Sequence, residues 1–208
     1  PLLGLVDVTI VGHLGAPAYI GAIAIGGLLF NILYWNFGFL RMGTSGLTSQ
    51  AYGRKDAIGE IRVLVQAISV ALLSATCILL LQYPVEKLAF WLLDTSAEVE
   101  QYAVSYFRVC IWGAPAVLSM YCFKGWFIGM QNSRYPMYIA IAVNIINILC
   151  SLCFVFLLGM KVEGVALGTV VAEWSGLGLA LVLWSKKYGV LRTKLSLHSS
   201  LHLGAMRH

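Results

Sequence analysis

The sequence predicts an all-α integral membrane protein, a bundle of six transmembrane helices. Three observations carry that expectation. Of 208 residues, 60% are apolar and 11% are charged, whereas a soluble domain holds ~45–50% apolar and ~25% charged residues. The mean hydropathy is +0.83. The apolar residues also form continuous runs long enough to cross ~30 Å of hydrocarbon as helices, not the alternating pattern of a membrane strand.

The runs are taken in order. Residues 1–14 read as the tail of a first span, interrupted by Asp7 and closed by His13-Leu14-Gly15-Ala16-Pro17. Because Pro1 already lies in an apolar run, the chain reads as a fragment, with further sequence expected before it and after it. The second span, 20–40, holds 21 residues without a charge and continues in more polar form to Gly53. The third, 63–81, is ended by Tyr83-Pro84. The fourth, 102–127, carries Arg108 and Lys124 and is expected to kink at Pro115, because proline removes a helix hydrogen bond. The fifth, 135–160, is uncharged, and the sixth, 164–184, carries a single acid, Glu173. The stretch 194–208 suits either an amphipathic surface segment or a solvated linker.

The net charge of +5 does not point to nucleic acid, because the bases cluster at the ends of apolar runs. Arg54, Lys55 and Arg62 follow the second span, Arg134 the fourth, and Lys186, Lys187, Arg192, Lys194 and Arg207 the sixth. The opposite connections hold Lys87 and Lys161, with Glu86, Asp94, Glu98, Glu100 and Glu163. The positive-inside rule puts the second-to-third loop and the C-terminal tail in the cytoplasm of a multi-pass protein of the plasma or inner membrane. All five cysteines lie in apolar runs. Cys150-x-x-Cys153 has redox spacing but lacks the βαβ setting of that motif, so plain buried thiols are expected.

Ionisable groups within spans are expensive and turn toward protein or a wet cavity. Arg41, Arg108 and Lys124 have stems long enough to snorkel to the interface. Asp7 and Glu173 do not. Asp7 lies seven residues before Leu14, roughly 10 Å deep. A desolvated carboxylate exchanges a proton or binds a cation in its place, which is the chemistry of a coupled transporter; a structural hydrogen bond or ion pair is the alternative for both acids. Asn144, Asn147 and Ser151 form one helical stripe on the fifth span, as do Thr169, Glu173 and Gly176 on the sixth. Such stripes line a cavity or join helices through hydrogen bonds. The glycines of the second and sixth spans read as close-packing residues. Tyr34, Trp35 and Trp112 offer cation–π surface or serve as interface anchors. There is no HExxH and no acidic metal cluster, so neither an enzyme nor a resident cofactor is expected.

Several segments, in order, resemble the multidrug and toxic compound extrusion (MATE) transporters, in particular their DinF-like branch. They are Pro1-Leu2-Leu3-Gly4-Leu5-Val6-Asp7 with Val11-Gly12-His13-Leu14-Gly15, and the run from Gly38-Phe39-Leu40-Arg41 through Gln50-Ala51-Tyr52-Gly53. Gly125-Trp126-Phe127-Ile128-Gly129-Met130-Gln131-Asn132-Ser133, Asn144-Ile145-Ile146-Asn147 and Val162-Glu163-Gly164-Val165-Ala166-Leu167-Gly168-Thr169 complete the series. The resemblance implies a twelve-helix transporter of two six-helix lobes. Residues 1–190 would be the N-terminal lobe, its first helix truncated, and 191–208 the start of a cytoplasmic inter-lobe linker. It further implies antiport of cationic or amphipathic small molecules against protons or sodium, with membrane lipid and a missing C-terminal lobe as partners. The family's coupling residues fall on Asp7, Tyr106, Asn147 and Thr169. Its fifth-span aspartate falls on Ser151, a departure that Glu173 is placed to compensate. Asn144, Glu173, Tyr34 and Arg41 are the expected substrate-cavity residues. A lipid-linked oligosaccharide flippase of the same superfamily is the alternative; it would need several cavity bases.

Overall fold

The computed structural model describes residues 8–10, 12, 17–93 and 96–205, with side chains up to residue 189. Among them every element is helical. They are α1 Pro17–Trp35, α2 Gly38–Gly53, α3 Ala57–Leu80, α4 Gln82–Leu93, α5 Ala97–Cys110, α6 Ala114–Gly129, α7 Arg134–Leu152 and α8 Val162–Ala205. A 3₁₀ turn, Ile111–Gly113, joins α5 to α6, and a π-helical turn, Cys153–Leu157, follows α7. Five stretches are long and apolar enough to cross a membrane: Pro17–Gly53, Ala57–Leu80, Ala97–Gly129, Arg134–Leu157 and Val162–Gly189. They are the second to sixth predicted spans. The first falls almost wholly outside the described residues, and Asp7 with it.

Two spans break within their length and a third stops at a turn, each for a local reason. Between α1 and α2 the Asn36 amide donates to the Ile32 carbonyl at 2.8 Å, and the backbone tightens, with Phe37 N on Tyr34 O and Leu40 N on Phe37 O at 3.0 Å. A side chain that competes for the helix carbonyls loosens the ladder at that point. Between α5 and α6, Pro115 cannot donate to Ile111 O, and the 3₁₀ turn gives that acceptor to Ala114 N instead, as expected of a proline in a first turn. The third break corrects the sequence reading. The span ends at Leu80, close to the end read from the sequence, but Tyr83-Pro84 sits in the first turn of a further helix, α4, where proline is tolerated. Residues 82–93, read as loop, are helical.

α4 lies back along α1. Phe90 packs with Ala22 and Ala103, while Leu33, Phe37, Leu81, Val85 and Ile111 line one apolar cavity of about 480 Å³. The three breaks therefore share one level. They divide this part of the bundle into a tier of α1, α4 and α5 and a tier of α2, α3 and α6.

In the first tier Phe30 stacks on Phe107 at 5.2 Å, and Tyr106 occupies the space where a Cβ on Gly26 would be. Arg108, read from sequence as a base able to snorkel, has a partner: its Nε and Nη2 both donate to the buried Glu86 carboxylate at 2.8 Å. In the second tier the Arg41 backbone lies against Gly125, and Trp126, fully buried, donates its indole N–H to Glu60 O at 2.8 Å. α8 packs along α7 with Gly168 against Ser151 and Gly176 against Val143. Close packing thus accounts for Gly26, Gly164, Gly168 and Gly176. Among the described residues nothing lies within 4 Å of where a Cβ on Gly27, Gly38, Gly43, Gly46 or Gly178 would go, so the described helices give these five no packing role.

Candidate functional site

A small pocket, about 70 Å³, opens between α1, α5, α6 and α8. Its lining includes Phe30 and Tyr34 from α1, Tyr106 and Cys110 from α5, and Thr169 and Glu173 from α8. That volume suits a water or two, or a small ion. Tyr106 is positioned by its contact with Gly26 and is 5% exposed. Thr169 and Glu173 are one helical turn apart and so share a face. The Thr169 hydroxyl donates to Val165 O at 3.1 Å and accepts from Asn147 Nδ2 at 3.0 Å. Asn147 is fully buried behind the pocket wall, and among the described residues its Oδ1 has no hydrogen-bond partner. A free acceptor next to a fixed hydroxyl suits a proton donor or a cation.

Four of the sequence-predicted residues, Tyr34, Tyr106, Thr169 and Glu173, thus meet in one pocket, with Asn147 as a second layer. Asp7 lies outside the described residues, and the other described ones are elsewhere. Asn144 spends its amide on Ala140 O of its own helix at 2.6 Å. Ser151 is fully buried in the close contact with Gly168, its Oγ without a partner among the described residues; here the stripe joins helices and is outside the pocket lining. Arg41 is exposed and outside the pocket lining. Lys124, read from sequence as a snorkelling base, is half-buried and lies within electrostatic range of Glu173 and Arg41, as does Tyr121. The spacing of Tyr121 and Lys124, three residues apart on one face, was the signal for this pair.

A family model described as MatE matches residues 1–172. The chain belongs to the MatE family. DNA damage-inducible protein F of Escherichia coli (strain K12) is 39% identical over 186 residues, which covers 89% of this chain and 40% of that protein. Protein DETOXIFICATION 44, chloroplastic, of Arabidopsis thaliana is 26% identical over 203 residues, 92% of this chain and 38% of that one. The MatE chain therefore spans about two fifths of the length of these relatives. Its fold matches that of a multidrug resistance MATE family transporter of the MOP superfamily in an inward-facing conformation. The TM-score is 0.81 at 22% identity, over 86% of this chain and 41% of that chain. MatE proteins are transporters and not enzymes, and this one is a multi-pass membrane protein.

Proposed function

We propose that this MatE chain is the N-terminal lobe of an efflux antiporter of the plasma or inner membrane, with residues 191–208 beginning the linker to a second lobe. It exports cationic or amphipathic small molecules in exchange for protons, with sodium as the alternative ion. The single observation that carries this reading is the convergence of Tyr34, Tyr106, Thr169 and Glu173 on one pocket. Three hydroxyls and a carboxylate facing one small space can hold a proton or cation and give it up to a competitor. Asp7 is the coupling acid. When it and Glu173 are ionised, the lobe attracts a cationic group; protonation from outside neutralises the site and weakens that attraction. Ion and cargo then compete, and the coupling free energy between them is reciprocal.

Ser151 supports the role given to Glu173. Burial against Gly168 removes residue 151 from the pocket, so the second acid comes from α8, one turn after Thr169. The flippase alternative gains no support, because Arg108, one of its three candidate bases, is committed to Glu86.

The test uses the full-length transporter in proteoliposomes, with proton and sodium gradients imposed separately. Asp7→Asn and Glu173→Gln are each expected to lower gradient-driven efflux at least about tenfold, the effect of ~1.4 kcal/mol in a coupling step. Undiminished efflux by both variants would overturn the proposal, and the gradient that drives the wild type identifies the ion.

A further inference from the structure

Two apolar cavities lie away from the pocket described above. The first, about 480 Å³, takes its walls from all three helix breaks: Phe37 from the α1–α2 turn, Leu81 from the α3–α4 turn and Ile111 from the 3₁₀ turn before α6. The second, about 330 Å³, runs between α1 and α4, from Val85 to Leu93. Leu33 and Val85 line both, so the two are joined. Each volume lies within the range of ligand sites, about 300–1,000 Å³.

The chemistry of the walls limits what they can hold. Among the described residues no charged side chain lines either cavity, and the polar ones are Asn36, Ser74 and Cys77. The Asn36 amide is committed to Ile32 O. A charged or strongly hydrogen-bonding molecule would lose its water there without replacement. An apolar space of this size leaves its lining short of dispersion contacts, and a hydrocarbon chain restores them.

Position supplies the hydrocarbon. The breaks divide two of the spans near their middles: α1 and α2 hold 19 and 16 residues, α5 and α6 hold 14 and 16. The larger cavity thus lies near the midplane of the bilayer. Leu73 and Leu81 beside it, and Leu88 and Leu92 along α4, are each more than half exposed and face lipid in a multi-pass protein. The first span's described residues, 8–10 and 12, line neither cavity. The α4 wall from Val85 to Leu93 is about 12 Å long at ~1.5 Å per residue, close to the ~15 Å depth of one leaflet. A tail that enters beside Leu93 and follows α4 therefore ends in the larger cavity.

We propose that one acyl tail of a membrane phospholipid is bound in this joined cavity, entering between α1 and α4 and ending among the three helix breaks. Shape and dispersion hold it, which sets it apart from lipid that slides over the convex faces of the bundle.

The test reconstitutes the full-length transporter in phosphatidylethanolamine vesicles doped with a phosphatidylethanolamine that carries a diazirine near the methyl end of one tail. After irradiation, the labelled peptides are mapped by mass spectrometry. Label should concentrate on residues 28–37 and 70–85, which carry the cavity walls, and saturate as the fraction of photoreactive lipid rises. The α7 face bearing Ile141, Ile145 and Leu149, also exposed, should take label in simple proportion to that fraction. Ser74→Phe places a ring in the larger cavity and should remove the label from 70–85, while Ser74→Ala leaves the space open and should retain it. Ala89→Phe obstructs the smaller cavity from another helix, should also remove the label from 70–85, and guards against a misfolded Ser74→Phe variant. Labelling of both regions in simple proportion, the mark of passing lipid, overturns the proposal. Absence of label from 28–37 and 70–85 overturns it too, since another part of the chain or a second copy then fills the space. Unchanged labelling in both phenylalanine variants does the same.

Discussion

Ser151 and Gly168 show how one position decides what a lobe of this kind can do. Any side chain at 168 would run into the Ser151 hydroxyl and backbone, so α7 and α8 approach as closely as two helices can when one residue has no Cβ. Gly168→Ala is expected to destabilise the full-length protein by about 1–3 kcal/mol, the usual cost of overpacking a well-filled contact, and Gly168→Val by more. Thermal unfolding in detergent measures both. The same contact explains why restoring an acid at Ser151 would not recreate a fifth-span coupling carboxylate. The new side chain would face α8 with no room for it. Arg108 makes a related point: removing it leaves Glu86, 8% exposed, without its two donors. Arg108→Gln should lower the unfolding temperature, and Glu86→Gln in the same chain should recover part of the loss, because a buried charge without a partner costs more than no charge at all.

At the level of helices, the last span is fastened to the bundle by its aromatic end. Tyr188 sits edge-on to Trp126 at 4.8 Å and its hydroxyl accepts from Asn132 Nδ2 at 3.2 Å, while Lys187 lies over the Tyr135 and Tyr188 rings at 5.4 Å and 5.5 Å. Tyr188→Phe removes one hydrogen bond and keeps the ring contacts, so a loss of about 0.5–1.5 kcal/mol is expected. Tyr188→Ala removes the ring as well and should cost about 3–5 kcal/mol; if the two variants unfold alike, the ring packing is not what holds α8. Most of this architecture was legible in the sequence, because hydrocarbon leaves the backbone no choice but to satisfy itself within helices and the uncharged runs mark where. The pocket was legible in part. Tyr34, Tyr106, Thr169 and Glu173, read as two groups, line one pocket, but Asn144 bonds to its own helix and Ser151 packs into a neighbour. Both outcomes depend on which way a stripe faces, and periodicity does not specify that. α4 was missed because Pro84 and the acids nearby look like loop signals; the Glu86–Arg108 pair that buries one of those acids spans 22 residues and leaves no local mark.

Across the whole molecule the charges segregate by end, and tertiary contacts establish that the ends are real. Trp126 reaches Glu60, Asn132 reaches Tyr188 and Lys187 lies over Tyr135, so the segments bearing Arg54, Lys55, Arg62, Arg134, Lys186 and Lys187 share one end of the bundle. Tyr19 meets Tyr102 at 4.7 Å and Lys161 at 5.7 Å, which gathers the start of α1, the start of α5 and the α7–α8 connection at the other. The Lys161 ammonium is held above its ordinary pKa by its hydrogen bond with Tyr19, so it stays charged at physiological pH and belongs in the count for its end. With the bases concentrated at the first end, the positive-inside rule predicts that this end faces the cytoplasm. Single cysteines placed at Lys55 and at Glu163, in a full-length background with the native thiols replaced, test this directly. A membrane-impermeant maleimide added to intact cells should label position 163 and leave position 55 untouched until the membrane is opened; the reverse pattern would turn the lobe over and, with it, the side from which protons reach the pocket.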